Sequence, residues 1–193
     1  MALSRRSLLE LISRILAACV AILMGVPGLR FMLGSIQSQS SRASEFSRVI
    51  RAKDLVPGRP KVVPIMGQKQ DAWARFDREV IGRVWLVREA SGSEPANSGD
   101  FKIRALSSIC PHMGCQIQAV SGSNGFVCPC HRANFDVDGQ RLADPRTSEQ
   151  NPAPRGLDDL DYRVVQDESS GEWWVEVKYN KFKTGLNHRV VTA

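Results

Sequence analysis

A chain of 193 residues has room for one domain of ordinary size and an appendage. Its 26 Lys and Arg against 20 Asp and Glu leave a net charge of +6, yet no basic patch interleaved with aromatic residues stands out, so no nucleic-acid partner is expected. Several arginines lie beside an apolar N-terminal run, which turns part of the basic excess toward a membrane surface.

Residues 1–10 carry Ser4-Arg5-Arg6-Ser7-Leu8-Leu9. This resembles a twin-arginine export signal, the route for proteins that fold before crossing a bacterial inner membrane; two ordinary positive-inside arginines ahead of a membrane helix are the alternative. Residues 11–33 are mostly Leu, Ile, Ala, Val, Met, Gly and Phe. As a helix rising about 1.5 Å per residue they would span about 34 Å, enough for a hydrocarbon core of about 30 Å. Glu10 and Arg14 are expected to pair across one helical turn. Pro27 removes one helical hydrogen bond, and Arg30 can snorkel to the outer interface. A cleaved signal peptide competes with an anchor here, since Ser41-Arg42-Ala43 lies a little beyond the run. The favoured reading is an uncleaved single-pass anchor with a cytoplasmic N-terminus. Residues 34–45, with Ser35, Ser38, Ser40, Ser41 and Ser44, read as a flexible neck.

From Phe46 onward the pattern is β-rich. Residues 48–52 and 61–65 are short Val/Ile segments on either side of the turn signal Asp54-Leu55-Val56-Pro57-Gly58. Residues 70–79 are expected to form a loop or a short helix. Residues 80–88 predict a strand, 89–100 a polar hairpin excursion, and 101–109 a strand leading to the first of two cysteine loops. Gly125-Phe126-Val127 leads into the second. Residues 162–166 and 172–179 predict a closing hairpin around Glu168-Ser169-Ser170-Gly171. Trp73, Trp85, Trp173 and Trp174 are expected in the core or on sheet faces.

The chemistry lies in Cys110-Pro111-His112-Met113-Gly114-Cys115 and Cys128-Pro129-Cys130-His131. Each loop offers one thiolate and one imidazole: Cys110 with His112, and Cys128 with His131. Four such donors suit either a tetrahedral Zn²⁺ or a [2Fe–2S] cluster with two Cys on one iron and two His on the other. The remaining pair, Cys115 and Cys130, take matching places in the two loops and could close a disulfide, which implies an oxidising compartment. The fifth cysteine, Cys19, falls in the apolar run.

At these residues the chain resembles the Rieske iron–sulfur proteins of quinol-oxidising cytochrome bc complexes, which read C-T-H-x-G-C in one loop and C-P-C-H-G-S in the other. Asn151-Pro152-Ala153-Pro154-Arg155-Gly156-Leu157 is similar to that family's Gly-Pro-Ala-Pro stretch, with Asn151 in place of the glycine. The resemblance implies a mainly β chain, with one N-terminal transmembrane helix and an antiparallel Rieske-type domain over residues 46–193. A small cluster-binding subdomain would occupy about residues 105–157. It further implies that Cys110 and Cys128 hold the inner iron of a [2Fe–2S] cluster, that His112 and His131 hold the outer iron and act as the catalytic residues, and that Cys115–Cys130 is a bracing disulfide. The expected function is that of the electron-transfer subunit of a quinol–cytochrome c reductase. It takes an electron and a proton from quinol and passes the electron to a c-type cytochrome, in a dimeric membrane complex with a cytochrome b subunit. The cluster domain would face the periplasm. The alternative is the small Rieske subunit of a periplasmic arsenite-oxidase-like molybdenum enzyme.

The chain departs from the family's high-potential pattern after His131. Arg132-Ala133 replaces Gly-Ser, and Phe135 replaces a tyrosine. The serine and tyrosine hydroxyls of that pattern donate to cluster and cysteine sulfur, so Arg132, Ala133 and Phe135 are expected to tune the potential, downward on balance, toward a menaquinol donor. Pro111 replaces a threonine. Met113 replaces a leucine and remains the apolar tip for docking on a cytochrome b subunit.

Overall fold

The computed structural model describes residues 5–34, 46–71, 74–89, 101–120, 125–143 and 151–192. Helix α1 (Arg5–Gly34) is continuous through Pro27. An 18-residue stretch within it has a mean hydropathy of 2.1, and by that and its length the helix is sufficient to cross a bilayer. The large apolar side chains Leu9, Leu16, Leu23 and Met24 are all exposed, as suits a helix that is apolar all round. Glu10 pairs with Arg6, Nε to Oε1 3.6 Å, and not with Arg14 as expected. The i,i+4 spacing permits either partner, and the pair that forms is the one nearer the polar end of the helix. The expected neck lies outside the described residues, apart from Gly34.

The remaining described strands are β1 (Phe46–Arg51), β2 (Lys61–Asp71), β3 (Ala74–Arg88), β4 (Ile103–Ser107), β5 (Gln118–Ala119), β6 (Phe126–Val127), β7 (Asn134–Phe135), β8 (Arg141–Leu142), β9 (Asp161–Gln166), β10 (Trp173–Lys178), β11 (Lys181–Phe182) and β12 (Val191–Thr192). They form antiparallel sheets in the orders β1-β10-β9, β2-β3-β4, β5-β6-β7-β8 and β11-β12.

Of the segment expected as a loop or short helix at 70–79, the described residues 70, 71 and 74–79 are strand instead. β2 runs on to Asp71, and β3 begins at Ala74. Its charged sequence has low intrinsic β preference, but the facing strand supplies the hydrogen bonds, and pairing overrides propensity. Gly67 marks the contact between the two strands: a Cβ there would lie 2.6 Å from Cδ1 of Ile81. On β3, Gly82 lets the ring of Tyr179 close onto the strand, since a Cβ would fall 2.1 Å from Tyr179 Cζ. Burial raises the pKa of that tyrosine.

In the β1-β10-β9 sheet, Arg48, Glu176 and Arg163 lie in one cross-strand row. Glu176 is buried between the two guanidiniums, 3.6 Å from Arg48 Nε and 2.7 Å from Arg163 Nη2. The row fixes register by charge as well as by apolar pattern. The closing hairpin forms as expected. In its turn, the Asp167 carboxylate accepts hydrogen bonds from the N–H groups of Ser169 and Ser170.

Two apolar cores result. One contains Ile50, Leu55, Ile65, Val84, Leu86, Val175, Val177 and Tyr179. The other contains Trp85, Leu106, Ile117, Phe126, Phe135, Ala153 and Leu157, together with Cys110 and Cys128. Trp85 stacks at a tilt on Phe126, with ring centroids 5.3 Å apart. Trp173 packs on the first core, and Arg48 lies 5.3 Å over Trp174. Trp73 lies outside the described residues.

Candidate metal centre

The two cysteine loops are the same turn made twice. In the first, Cys110 N–H donates to Cys115 O at 2.8 Å, and Gly114 N–H donates to Cys110 O at 3.0 Å. In the second, Cys128 N–H donates to Ala133 O at 2.8 Å, and Arg132 N–H donates to Cys128 O at 3.0 Å. The residue four places after each leading cysteine must turn left-handed: Gly114 has φ +83° and Arg132 has φ +59°. Glycine adopts this freely, whereas an L-residue with a side chain gives up about 1 kcal/mol. Arg132 therefore carries strain where the resembled family has glycine.

Matched by these turns, the loops differ from expectation in one respect. Cys115 and Cys130 are not at equivalent places: Cys115 is the fifth residue after its leading cysteine, and Cys130 is the second after its own. His112, not Cys115, is the counterpart of Cys130. The two cysteines are nevertheless bonded to each other, with Cα atoms 6.6 Å apart.

Cys110 and Cys128 are free thiols, each only 1% exposed. Burial pushes the Cys110 thiol up to about 11, while backbone N–H groups of His112 and Met113 pull it down and Cys128 adds to the rise. A thiol held this high keeps its proton at neutral pH unless a cation takes the proton's place. The imidazoles of His112 and His131 meet edge to face, with centroids 4.7 Å apart. Nδ1 of His112 is buried and has no hydrogen-bond partner among the described residues. A buried ring nitrogen without a partner is costly unless something outside the chain engages it. The sulfurs of Cys115, Cys128 and Cys130 lie within 4.8 Å of one another, but two of them are spent on the disulfide, so only Cys128 brings a thiolate. Two buried thiols, two facing imidazoles and an orphaned ring nitrogen fit a [2Fe–2S] group of the two-Cys, two-His kind.

The other expected residues fall around this site. Ala133 and Phe135 are 0% and 1% exposed, in the core that holds Cys110 and Cys128. Neither carries a hydroxyl. Arg132 is exposed, and Met113 is 66% exposed at the tip of the first loop. Ala153 of the proline stretch enters the same core.

Several residues shape the site in ways that the sequence does not announce, among them Asn151, which from sequence stands only as a departure from the family's glycine. Asn151 is 8% exposed. Its Nδ2 donates to Asn134 O at 2.5 Å and to Leu142 O at 2.8 Å, and its Oδ1 accepts from Ala153 N–H at 3.0 Å. It thereby ties the proline stretch to β7 and β8. Arg155 and Asp158 form a buried ion pair. No helical spacing marks them, since residues 155–158 lie in irregular chain. The chain segment 183–186, which touches the first loop, carried no signal at all.

The profile of the Rieske [2Fe-2S] domain family matches residues 45–161. The chain belongs to that family, and its cofactor is the Rieske [2Fe–2S] cluster. The cytochrome b6-f complex iron-sulfur subunit of Prochlorococcus marinus (strain MIT 9211) is 33% identical over 102 residues, covering 53% of this chain and 48% of that protein. The chain spans less than half the length of such curated relatives. Among solved structures, the plasma membrane Rieske protein PetC3 from Synechocystis PCC 6803 is 29% identical over 49% of this chain and 76% of its own, with a TM-score of 0.33. A chain of a hyperthermophilic respiratory Complex III is 20% identical over 84% of this chain and 98% of its own, with a TM-score of 0.40.

Proposed function

We propose that the chain is the electron-transfer subunit of a membrane quinol:cytochrome c oxidoreductase, with Cys110 and Cys128 on the inner iron and His112 and His131 on the outer. The observation that carries the ligand set is the orphaned, buried Nδ1 of His112 beside the His131 ring. Bound here, a two-His [2Fe–2S] cluster supplies a one-electron acceptor at about −150 to +300 mV, against about −400 mV for an all-cysteine one. With Nδ1 of His112 committed to iron, its Nε2 is the atom left to hold or release a proton toward a quinol hydroxyl. The exposed Met113 presents an apolar tip to a cytochrome b subunit. Ala133 and Phe135, lacking hydroxyls, support menaquinol as the donor.

In this reading residues 1–10 are cytoplasmic, 11–33 span a bacterial inner membrane, 34–45 form the neck, and 46–193 are the periplasmic domain. The membrane relatives and the length and hydropathy of α1 support that topology. The complex is dimeric, with a c-type cytochrome as acceptor. Purification of the tagged chain from membranes tests the assignment. A cytochrome b partner and a Rieske-type paramagnetic signal after dithionite reduction are expected. A molybdopterin subunit in place of the cytochrome b would overturn the quinol reading, and absence of the signal would overturn the ligand set.

A further inference from the structure

Arg155 lies outside both cysteine loops, yet through its own bonds and those of Asp158 it links three pieces of chain around them. Its Nε and Nη2 donate to the two oxygens of Asp158 at 2.9 and 2.7 Å. Its Nη1 donates to Leu186 O at 2.6 Å, and Nη2 also donates to Lys183 O at 2.9 Å. The two side chains are only 10% and 4% exposed. Asp158 is itself anchored at the end of β4, where its carbonyl accepts Ser107 N–H at 2.8 Å; the next bond along joins Ile109 N–H to Ser107 Oγ, one residue before Cys110. On the opposite side, residues 183–186 cross the first loop. Gly185 N–H donates to Pro111 O at 2.8 Å, between Cys110 and His112. The Thr184 methyl lies over Gly114, 3.7 Å from where a Cβ would stand.

We propose that Arg155 is a positioning residue for the metal centre, and that it holds residues 183–186 as a strap across the loop that carries Cys110 and His112. The inference rests on the proposed ligand role of those two residues. A planar fork is required: one guanidinium satisfies a bidentate carboxylate and two carbonyls at once, which an ammonium on a flexible stem does not. Asp158 orients the fork, and the fork fixes the strap. With the strap in place, the Pro111 carbonyl is held by Gly185, so the backbone on either side of His112 has one arrangement. Without it, the loop stays closed by its own turn and the disulfide, but the His112 ring loses its fixed orientation.

The test uses the full-length chain in detergent with three variants. Arg155→Lys keeps the charge. Arg155→Met paired with Asp158→Asn removes the charge from both partners, so no buried carboxylate is stranded. Gly185→Ala strains the strap turn, since Gly185 has φ +76°. Each variant is compared with the parent for the midpoint potential and its pH dependence, the g-values of the reduced centre, cluster release to a chelator, and amide exchange at position 185. All three variants are expected to shift the g-values and the pH dependence, to lose amide protection at position 185, and to release the cluster about tenfold faster, the loss expected of one charge-assisted hydrogen bond. Parent-like g-values, potential and release rate in the folded fraction of Arg155→Lys and of the double variant would overturn the proposal, even if their unfolding temperatures fall. A parent chain without a Rieske signal would instead remove the ligand assignment on which the proposal stands.

Discussion

Replacing Asn151 with alanine removes the side chain that pins the proline stretch to the cluster sheet. Three hydrogen bonds go: two donated to the carbonyls of Asn134 and Leu142, and one accepted from Ala153 N–H. A buried group left without a partner costs about 1–3 kcal/mol. Ala153 is 1% exposed, so its amide cannot turn to water and loses the full amount. Leu142 is exposed and Asn134 half-buried, so water restores part of what their carbonyls lose. The sum is a destabilisation of roughly 2–3 kcal/mol, concentrated in the proline stretch. Glycine, the residue of the resembled family at this position, should cost at least as much here. Aspartate can keep the bond from Ala153 but turns a carboxylate toward two carbonyl oxygens, and should be no better than alanine. Urea unfolding followed by far-ultraviolet circular dichroism, with cluster absorbance recorded in parallel, measures the effect at matched loading. Amide exchange at Ala153 should accelerate in step. A change under about 0.5 kcal/mol in Asn151→Ala, with Ala153 exchange unaltered, would refute the reasoning, because the buried Ala153 amide alone should lose more than that.

The pair Ala133→Ser and Phe135→Tyr should raise the midpoint potential: each hydroxyl donated to sulfur favours the reduced, more negative state by about 1–2 kcal/mol, or about 40–90 mV at about 59 mV per tenfold. No rise in a redox titration would show that the hydroxyls do not reach sulfur in this loop. Hydrogen bonds from the Ser169 hydroxyl and from Arg48 hold the Asp167 carboxyl well below its ordinary 3.8. Its contribution to stability is therefore full above pH 3.8 and is lost as the pH falls through the lower folded value. Asp167→Asn should lower stability at neutral pH and flatten the acid limb of a pH–stability curve, with no flattening counting against this role. Replacing Arg5 and Arg6 together by lysine should leave the cluster domain on the cytoplasmic side of the membrane; normal access to an external protease in that variant would point to another export route.

The β architecture and the cysteine loops were legible because their signals are local. Cys and His spacing is written within each loop, hairpin β9–β10 announces itself by a polar turn between two Val-rich runs, and the apolar length of α1 is a property of consecutive residues. The described residues of the 70–79 segment are strand, against expectation, for the opposite reason. Their own composition favours a loop, and only the facing strand makes them β.

Sequence by itself determined the two Cys/His loops, the apolar helix and the absence of hydroxyls at Ala133 and Phe135. Only the tertiary structure decided what holds the loops in place. That Asn151 reaches β7 and β8, that Arg155 joins Asp158 to residues 183–186, and that Gly185 meets Pro111 are contacts between chain segments far apart in sequence. Which distant polar groups meet depends on how the sheets stack and how the loops return. No spacing rule encodes this, because the partner of a buried donor is whichever acceptor the packed chain brings within about 3 Å.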